Sequence, residues 1–310
     1  MQIIKHDINL DFVGKRKLAV MVSVILILVG LASLVVKGGP NYGIDFVGGT
    51  LVQVKFSEST DAAAIKDSLG SLDLGSVVVQ RFGDDPGEFL IRIQETGHGE
   101  DLSRLVSESL DATYGAGQFD IRRVEMVGPQ VGKDLRQKGL LSILYAMVGI
   151  LIYIAWRFEL RYAIGAIIAL MHDVLITLGA FSITGREIDL PIIAAFLAII
   201  GYSLNDTIIV YDRIRENYGK HQKKGFLTVV NRSINETLSR TLLTSGTTLL
   251  VVLALFVFGG GVIHNFAFAL LVGILVGTYS SIFVASPILI FWEDMRSGGQ
   301  KKPATAEGGS

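Results

Sequence analysis

Residues 18–36 read LAVMVSVILILVGLASLVV, nineteen residues without a charge. A helix that crosses the ~30 Å hydrocarbon layer of a membrane needs about 20 apolar residues, so this run predicts a membrane-spanning helix. Lys15, Arg16 and Lys17 precede the run, as basic residues do in a signal peptide, but no A-x-A cleavage site follows it. The sequence therefore predicts an uncleaved first span.

The composition of the whole chain agrees with a membrane protein. Of its 310 residues, 50% are hydrophobic and only 18% are charged, whereas soluble domains carry about 25% charged residues. The net charge of −1 gives no basic signal for nucleic acid, and the absence of cysteine excludes disulfides and thiolate metal sites. Gly259-Gly260-Gly261 lacks the following Lys-Ser/Thr of a phosphate loop and predicts an outer turn. We expect no cofactor and no metal.

Five further apolar stretches follow the first span, which makes six predicted transmembrane helices. Their predicted ranges are 139–156, 162–183, 188–211, 238–258 and 264–291. Short loops join them, except for a charged segment at 212–237. The fold class is therefore an α-helical polytopic membrane protein, with a polar domain at 37–138 inserted between its first and second spans.

The inserted domain has the pattern of a small α+β fold. It contains sixteen acidic and eleven basic residues, and its apolar runs are short. Alternation and turn signals predict four strands, and helical spacing predicts two helices. In chain order these elements are Thr50–Phe56, Thr60–Leu69, Ser76–Phe82, Glu88–Ile93, Leu102–Tyr114 and Gln118–Val127. The order βαββαβ is typical of a ferredoxin-like domain.

The positions of Lys and Arg predict the orientation in the membrane. If the N-terminus is cytoplasmic, the inside segments 1–17, 157–161, 212–237 and 292–310 hold fifteen Lys and Arg residues. The short outside loops 184–187 and 259–263 hold only Arg186. Because basic residues favour the cytoplasmic side, both termini and the 212–237 loop are predicted inside, and the 37–138 domain outside.

Three charged residues lie more than one residue inside the ends of the predicted spans: Asp173, Asp206 and Arg240. A charge in hydrocarbon is costly, so each is a candidate functional residue. At ~1.5 Å per residue, Asp173 lies ~16 Å deep and Asp206 ~8 Å from the cytoplasmic end of its span. Arg240 lies within about a turn of the same end, so we expect it to be able to pair with Asp206. His172 neighbours Asp173, but adjacent positions on a helix are expected to point to different faces.

Polar residues support the predicted inner site. Asn205 flanks Asp206, and the fifth span carries a stripe of hydroxyl groups that includes Thr241, Thr244, Ser245 and Thr248. The functional interpretation is a proton-accepting carboxylate whose ionisation Arg240 favours. The alternatives are a structural ion pair between helices, or an arginine that extends to the membrane surface. Gly273 and Gly277 have the G-x-x-x-G spacing of close helix packing.

Five stretches resemble a known family. They read YGIDFVGGT at 42–50, VGPQVGKD at 127–134, LMHDVLIT at 170–177, GYSLNDTIIVYDRIREN at 201–217 and NETLSRTLLTSGTT at 235–248. Together they are similar to the SecF family of the bacterial Sec protein-export machinery, and the resemblance covers nearly the whole chain.

The resemblance implies more than the residue spacing does. It implies half of an RND-type bundle, with SecD as the other half, in the bacterial inner membrane. It also implies association with the SecYEG channel and YajC, and use of the proton motive force to release preproteins on the outer side. Asp206 of N-D-T and Arg240 of S-R-T then belong to the proton pathway, and Asp173 of H-D-V fits that role less closely.

Two other functions remain open from the sequence. An RND-like exporter of small molecules or lipids would usually carry paired large outer domains, whereas this chain has one small domain. A non-transporting scaffold of a membrane complex would need only the packing surfaces, such as the Gly273/Gly277 motif.

Overall fold

The computed structural model describes residues 9–298 except 71, 73, 76, 84, 94–101 and 221–224. The start of the predicted strand Ser76–Phe82, part of the 212–237 segment, residues 1–8 and the tail after 298 therefore lie outside the described residues.

The inserted domain contains one four-stranded antiparallel sheet. Its elements are β1 (Gly49–Phe56), α3 (Ala62–Ser68), β2 (Val77–Arg81), β3 (Glu88–Ile93), α4 (Leu102–Tyr114) and β4 (Phe119–Val127). The strands lie in the order β2-β3-β1-β4, and every neighbouring pair is antiparallel. A short helix, α2 (Ile44–Val47), precedes β1.

The core of this domain is apolar throughout. Alternate residues of the strands point to one face, where they meet residues of α3 and of α4 at helical spacing. Its fully buried members include Val52, Phe89, Ile91, Ile65 and Val106. Asp61 caps the N-terminus of α3, because its carboxylate accepts a hydrogen bond from the Ala64 amide at 2.7 Å.

Six helices among the described residues are long and apolar enough to cross a membrane. They are α1 (Arg16–Val36), α5 (Pro129–Arg157), α6 (Leu160–Thr184), α7 (Leu190–Lys220), α8 (Phe226–Phe258) and a last span over Ile263–Arg296. The last span comprises α9 (Gly260–Ser280), a π-helix (Ser281–Ala285) and α10 (Ser286–Gly298). The helices α6 and α7 and the last span are the most buried, while α1, α5 and α8 expose most of their surfaces.

Several helices extend beyond the predicted apolar stretches. The 212–237 segment is not a loop over its described part, because α7 continues to Lys220 and α8 begins at Phe226. Ion pairs at helical spacing stabilise these extensions: Glu216 pairs with Arg213 and Lys220, and Glu236 pairs with Arg232. Hydropathy predicts where a helix leaves the hydrocarbon layer of the membrane. The helix itself can continue beyond that point for as long as its backbone hydrogen bonds continue.

The predicted domain boundary at 138 falls inside a helix. Helix α5 begins at Pro129, ten residues before the predicted second span. Proline suits the first turn of a helix because it has no N–H to satisfy there. Gly48, the residue before β1, packs on this turn: it has φ +81°, and a Cβ at Gly48 would lie 2.8 Å from the Pro129 Cα. The outer domain thus joins the second span without a flexible linker at this point.

Glycines allow two pairs of helices to approach closely. A Cβ at Gly277 would lie 2.9 Å from the Ser203 Cβ of α7, and one at Gly273 would lie 2.3 Å from Ile199 of the same helix. The G-x-x-x-G spacing therefore packs the last span against α7 within this chain. Gly30 of α1 and Gly179 of α6 make a second close approach, since a Cβ on either would lie 2.8 Å from the other's Cα.

The last span is interrupted by one π-helical turn at Ser281–Ala285. Pro287 follows it, and a proline inside a helix removes one backbone hydrogen bond and disfavours regular α geometry in the preceding turn. The Ser286 hydroxyl donates to the Ser281 carbonyl at 3.0 Å and so satisfies part of the disturbed turn. Single π turns inside α-helices occur frequently at functional sites.

The segment before the first span is bound to α8. Asn235 and Leu10 form a two-way contact, in which the Leu10 amide donates to the side chain at 2.8 Å and the side-chain amide donates to the Leu10 carbonyl at 2.9 Å. One turn earlier, Asn231 accepts from the Phe12 amide at 2.9 Å. The Phe12 ring packs edge-on against Phe283 of the π-helix, with centroids 5.8 Å apart.

The outer domain contacts the loop between α6 and α7. Arg92 of β3 forms an ion pair with Glu187, and both side chains are 14% exposed. Asp189 caps α7 through the Ile192 amide at 3.2 Å, and Asp45 accepts from the Leu190 amide at 2.9 Å. Burial, aided by the nearby Asp45 carboxylate, raises the pKa of Asp189 to about 6.

Candidate functional site

Asp206 lies on the inward face of α7 and is 4% exposed. The Thr241 hydroxyl of α8 donates to its Oδ1 at 2.6 Å, and the Ser281 hydroxyl of the π-helix donates to its Oδ2 at 2.6 Å. One carboxylate thus joins three helices. Both oxygens of Asp206 accept hydrogen bonds from hydroxyl groups, and no cationic side chain contacts the carboxylate directly within the described residues.

Arg240 does not pair with Asp206. Within the described part of the chain the Asp206 oxygens are bonded by Thr241 and Ser281 and form no ion pair with Arg240, whose side chain is exposed. Successive residues on a helix are ~100° apart, so turning Thr241 toward Asp206 turns Arg240 away. Arg240 instead lines a cavity of about 440 Å³ together with Asp212 and Glu236. Similar depth in the membrane does not fix the rotation of a helix, so the pairing of Asp206 with Arg240 stays a prediction for another conformation of the bundle.

Asp173 lies on α6 and is fully buried. Its Oδ2 accepts hydrogen bonds from the Ser203 hydroxyl of α7 at 2.5 Å and from the Ser280 hydroxyl of α9 at 2.8 Å. The structure therefore gives Asp173 hydrogen-bond partners on α7 and α9, which its depth in the membrane did not predict. Ser203 lies one turn before Asp206 on α7, so the two carboxylates lie against one face of that helix.

His172 contacts Asp173, contrary to the expectation from their adjacent positions. Its Nδ1 lies 2.8 Å from the Asp173 Oδ1, and the ring is 5% exposed. Neighbouring Cα atoms are only ~3.8 Å apart, so a long side chain can turn back toward the next residue even when the two Cβ directions diverge. The ring Nε2 lies 3.0 Å from the Ser23 hydroxyl of α1.

The other predicted polar residues have separate roles. Ser245 accepts from the Thr278 hydroxyl at 2.8 Å and thereby joins α8 to α9. Thr244 and Thr248 donate to carbonyls of their own helix, as hydroxyl side chains in helices commonly do. Asn205 is exposed and makes no side-chain hydrogen bond within the described residues.

Sequence reasoning missed two of the three serines that bind the carboxylates. Ser280 bonds Asp173 and Ser281 bonds Asp206, so consecutive residues of one helix serve two sites. The available signal was the polar stretch T-Y-S-S at 278–281, followed by S-P at 286–287, within an otherwise apolar span. Among the residues that the structure describes, no group of three His, Asp or Glu residues could hold a metal ion.

Comparison with known proteins assigns the chain to a family. A family model described as "Protein export membrane protein SecD/SecF, C-terminal" matches residues 106–295, and one described as "SecD/SecF GG Motif" matches residues 32–60. A protein translocase subunit SecF from Magnetococcus marinus is 51% identical over 313 residues, which cover 99% of each chain. The chain belongs to the SecF family.

Other members of the SecF family and a solved structure agree with this assignment. SecF from Desulfurispirillum indicum is 50% identical over 91% of each chain. A crystal structure of SecDF, a translocon-associated membrane protein from Thermus thermophilus, matches 94% of this chain with a TM-score of 0.84. The two sequences are 36% identical. The chain spans 40% of that longer SecDF chain. Membership of the SecF family makes the chain a multi-pass inner-membrane subunit of Sec protein export with SecD as its partner.

Proposed function

We propose that this SecF-family chain couples proton movement through its bundle to the late steps of preprotein translocation through SecYEG. The observation that carries the proposal is the pair of buried carboxylates, Asp206 and Asp173, at which four elements of the bundle meet. Ionisable groups in the interior of membrane spans are costly, and they commonly mark proton or substrate pathways. Asp206 is bonded by hydroxyl groups and Asp173 by hydroxyl groups and a histidine ring, and such partners suit proton uptake and release better than a permanent ion pair would.

In this proposal Asp206 is the main proton acceptor, and Arg240 is its conditional partner. Arg240 faces the cavity beside α8, while the next residue, Thr241, bonds Asp206. A rotation of α8 by ~100° would exchange Thr241 for Arg240 next to the carboxylate. Such an exchange would favour the ionised form of Asp206 and promote proton release.

The finer architecture belongs to the same proposal. The strand order β2-β3-β1-β4 with two crossover helices supports a ferredoxin-like outer domain over 37–138. The six spans would form half of an RND-type bundle that SecD completes. The distribution of Lys and Arg supports cytoplasmic termini. By resemblance, SecYEG, YajC and translocating preproteins are the further partners, and lipid surrounds the exposed helix faces.

The energy available from protons limits what the subunit can do. One charge that crosses a 100 mV potential supplies ~2.3 kcal/mol, which suffices to bias a two-state movement of a domain. Unfolding a stable client domain takes ~5–15 kcal/mol, more than one proton provides. The subunit would therefore act on preproteins that are already unfolded, by preventing their return through the channel.

The test is the Asp206→Asn variant, assayed in membrane vesicles for preprotein export with and without a proton gradient. We expect normal insertion and complex assembly, and loss of the gradient-dependent part of export. Asp294→Asn, which changes an exposed carboxylate, is the matched control and should export normally. Full gradient-dependent export by Asp206→Asn would overturn the proton role. Tolerance of Asp206→Asn and Arg240→Met together would favour a scaffold.

A further inference from the structure

A chain of hydrogen bonds runs from Asp173 through His172, Ser23 and Tyr279 to the Ala19 carbonyl. At the far end, the Tyr279 hydroxyl lies 2.7 Å from the Ala19 carbonyl of α1. A carbonyl only accepts, so Tyr279 donates its single proton there. The Ser23 hydroxyl, 3.1 Å from the Tyr279 oxygen, must then be the donor in that contact.

The proton positions on Tyr279 and Ser23 determine the tautomer of His172. Because Ser23 uses its proton on Tyr279, its oxygen is free only to accept from the His172 Nε2, 3.0 Å away. The Nε2 atom therefore carries a proton. A neutral ring has one proton, so its Nδ1 is then an unprotonated acceptor that faces the Asp173 Oδ1 at 2.8 Å.

Two acceptors cannot form a hydrogen bond, so the contact contains one further proton. That proton belongs either to a neutral Asp173 carboxyl group or to a His172 imidazolium beside the carboxylate. The Ser203 hydroxyl donates to the second oxygen of Asp173, and the Ser280 hydroxyl lies 2.8 Å from that oxygen and 3.1 Å from the Gly277 carbonyl. A proton on the second oxygen would still leave none between Nδ1 and Oδ1, so it does not replace the shared proton. The hydrogen-bond geometry therefore fits a His172–Asp173 pair that holds one shared proton.

We propose that His172 and Asp173 together form a second proton-binding site of the bundle, separate from Asp206, that takes up and releases one proton as a unit. The proposal deepens the pathway role proposed above for Asp173 and rests on it. Release transfers the shared proton to water and breaks the Nδ1–Oδ1 bond, while the Nε2 proton stays on the ring. Uptake from hydronium reverses the step, so the atoms balance without another reactant.

Proton release has a direct consequence for packing. In the unloaded pair, the lone pair of Nδ1 faces a carboxylate oxygen, and the repulsion favours rotation of the ring away from Asp173. The same ring bonds Ser23 of α1, so its rotation breaks this polar contact between α6 and the first span, while the Ser33–Ser182 contact farther along remains. The Gly30–Gly179 approach, farther along both helices, involves no titratable group. The pair thus links a protonation state to the position of α1.

Few other titratable groups surround the pair. Within the described residues, α1 presents Ser23 to it, α7 presents Ser203, and α9 presents Ser280 and Tyr279. Of these only Tyr279 titrates, and its proton bonds the Ala19 carbonyl. The next carboxylate is Asp206, which is held by different hydroxyl groups. The two sites can therefore be tested one at a time.

The experiment is a pH titration of histidine ring ¹⁵N resonances in the full chain, labelled at histidine and reconstituted in its complex with SecD. The His172→Gln variant identifies the His172 signals. We expect Nε2 to remain protonated throughout, and the Nδ1 resonance to move between two positions in a single-proton titration. We expect this movement to be lost in Asp173→Asn and kept in Asp206→Asn. Ser23→Ala should retain the titration but admit both ring tautomers.

Each outcome separates this inference from the proposed function. A His172 ring with its proton on Nδ1 alone, or an Nδ1 resonance that does not move with pH, overturns the second site. An Nδ1 titration that persists in Asp173→Asn also overturns it, because the pair then does not act as a unit. If His172 titrates as expected while Asp206→Asn exports normally, the proton role of Asp206 fails and the second site stands.

Discussion

The outer domain and the membrane bundle bury opposite kinds of side chain. The outer domain encloses an apolar core, and most of its ion pairs, such as Lys55 with Asp85, are exposed. The bundle exposes apolar side chains and encloses two carboxylates with their hydroxyl partners. In water, burial of apolar surface drives folding, whereas between helices in lipid, packing and hydrogen bonds contribute much of the association. A conservative substitution should therefore have different effects in the two regions.

The largest effect on stability is expected from the apolar core of the outer domain. Phe89 is fully buried there and packs edge-on against Phe56. We expect Phe89→Ala to destabilise the domain by about 3–5 kcal/mol, because it removes buried surface and leaves a cavity. Limited proteolysis of the purified complex should then cut within the outer domain while the spans remain intact. A Phe89→Leu control should be cut far more slowly, and equal resistance of Phe89→Ala would contradict the assignment of this core.

A smaller effect is expected from removing one donor inside the bundle. Ser281→Ala leaves the Oδ2 atom of Asp206 without its hydrogen bond, at a cost of about 1–3 kcal/mol. Thermal unfolding of the complex in detergent measures this loss. Ser142→Ala is the matched control, because that hydroxyl bonds only a carbonyl of its own helix and should matter little. Equal melting temperatures for the two variants would show that the bond to Asp206 adds no stability.

The smallest effect is expected where the two regions meet, and it depends on pH. The pKa of Asp189, about 6, lies above its unfolded value of 3.8, so the folded state binds more protons between these values. The contribution of Asp189 to stability is therefore fully present below pH 4 and is lost as the pH rises through 6. Asp189→Asn should flatten this dependence in thermal unfolding, whereas Asp120→Asn on exposed β4 should not. An unchanged profile for Asp189→Asn would exclude Asp189 as the source.

The sequence predicted the elements far better than it predicted their contacts. Long apolar runs located all six spans, and periodicity placed Glu88–Ile93 and Leu102–Tyr114 with the bounds that the structure has. Hydropathy did not locate the start of α5 at Pro129, because the turns outside the membrane are polar helix. Hydropathy and periodicity depend only on residues that are close together along the chain, so a single sequence is enough to detect them.

The candidate site was predicted only in part, because its contacts depend on how the helices are rotated. Asp206 and Asp173 were identified from the cost of burying a charge, which the sequence reveals directly. The rotation that gives Thr241 rather than Arg240 to Asp206 is set by packing across the whole bundle. Ser280 and Ser281 were missed for a related reason, since the π turn that follows Ser280 depends on the hydrogen bonds of a helix interrupted by Pro287.

The binding of residues 10–12 to α8 has a practical consequence. Asn231 and Asn235 fasten this segment to the helix that also carries Thr241, while Phe12 packs against the π-helix that carries Ser281. Any turn of α8 relative to the last span must therefore stretch or release the segment. A spectroscopic label at Leu10, an exposed side chain, would report such a motion from the aqueous surface without a probe inside the bundle.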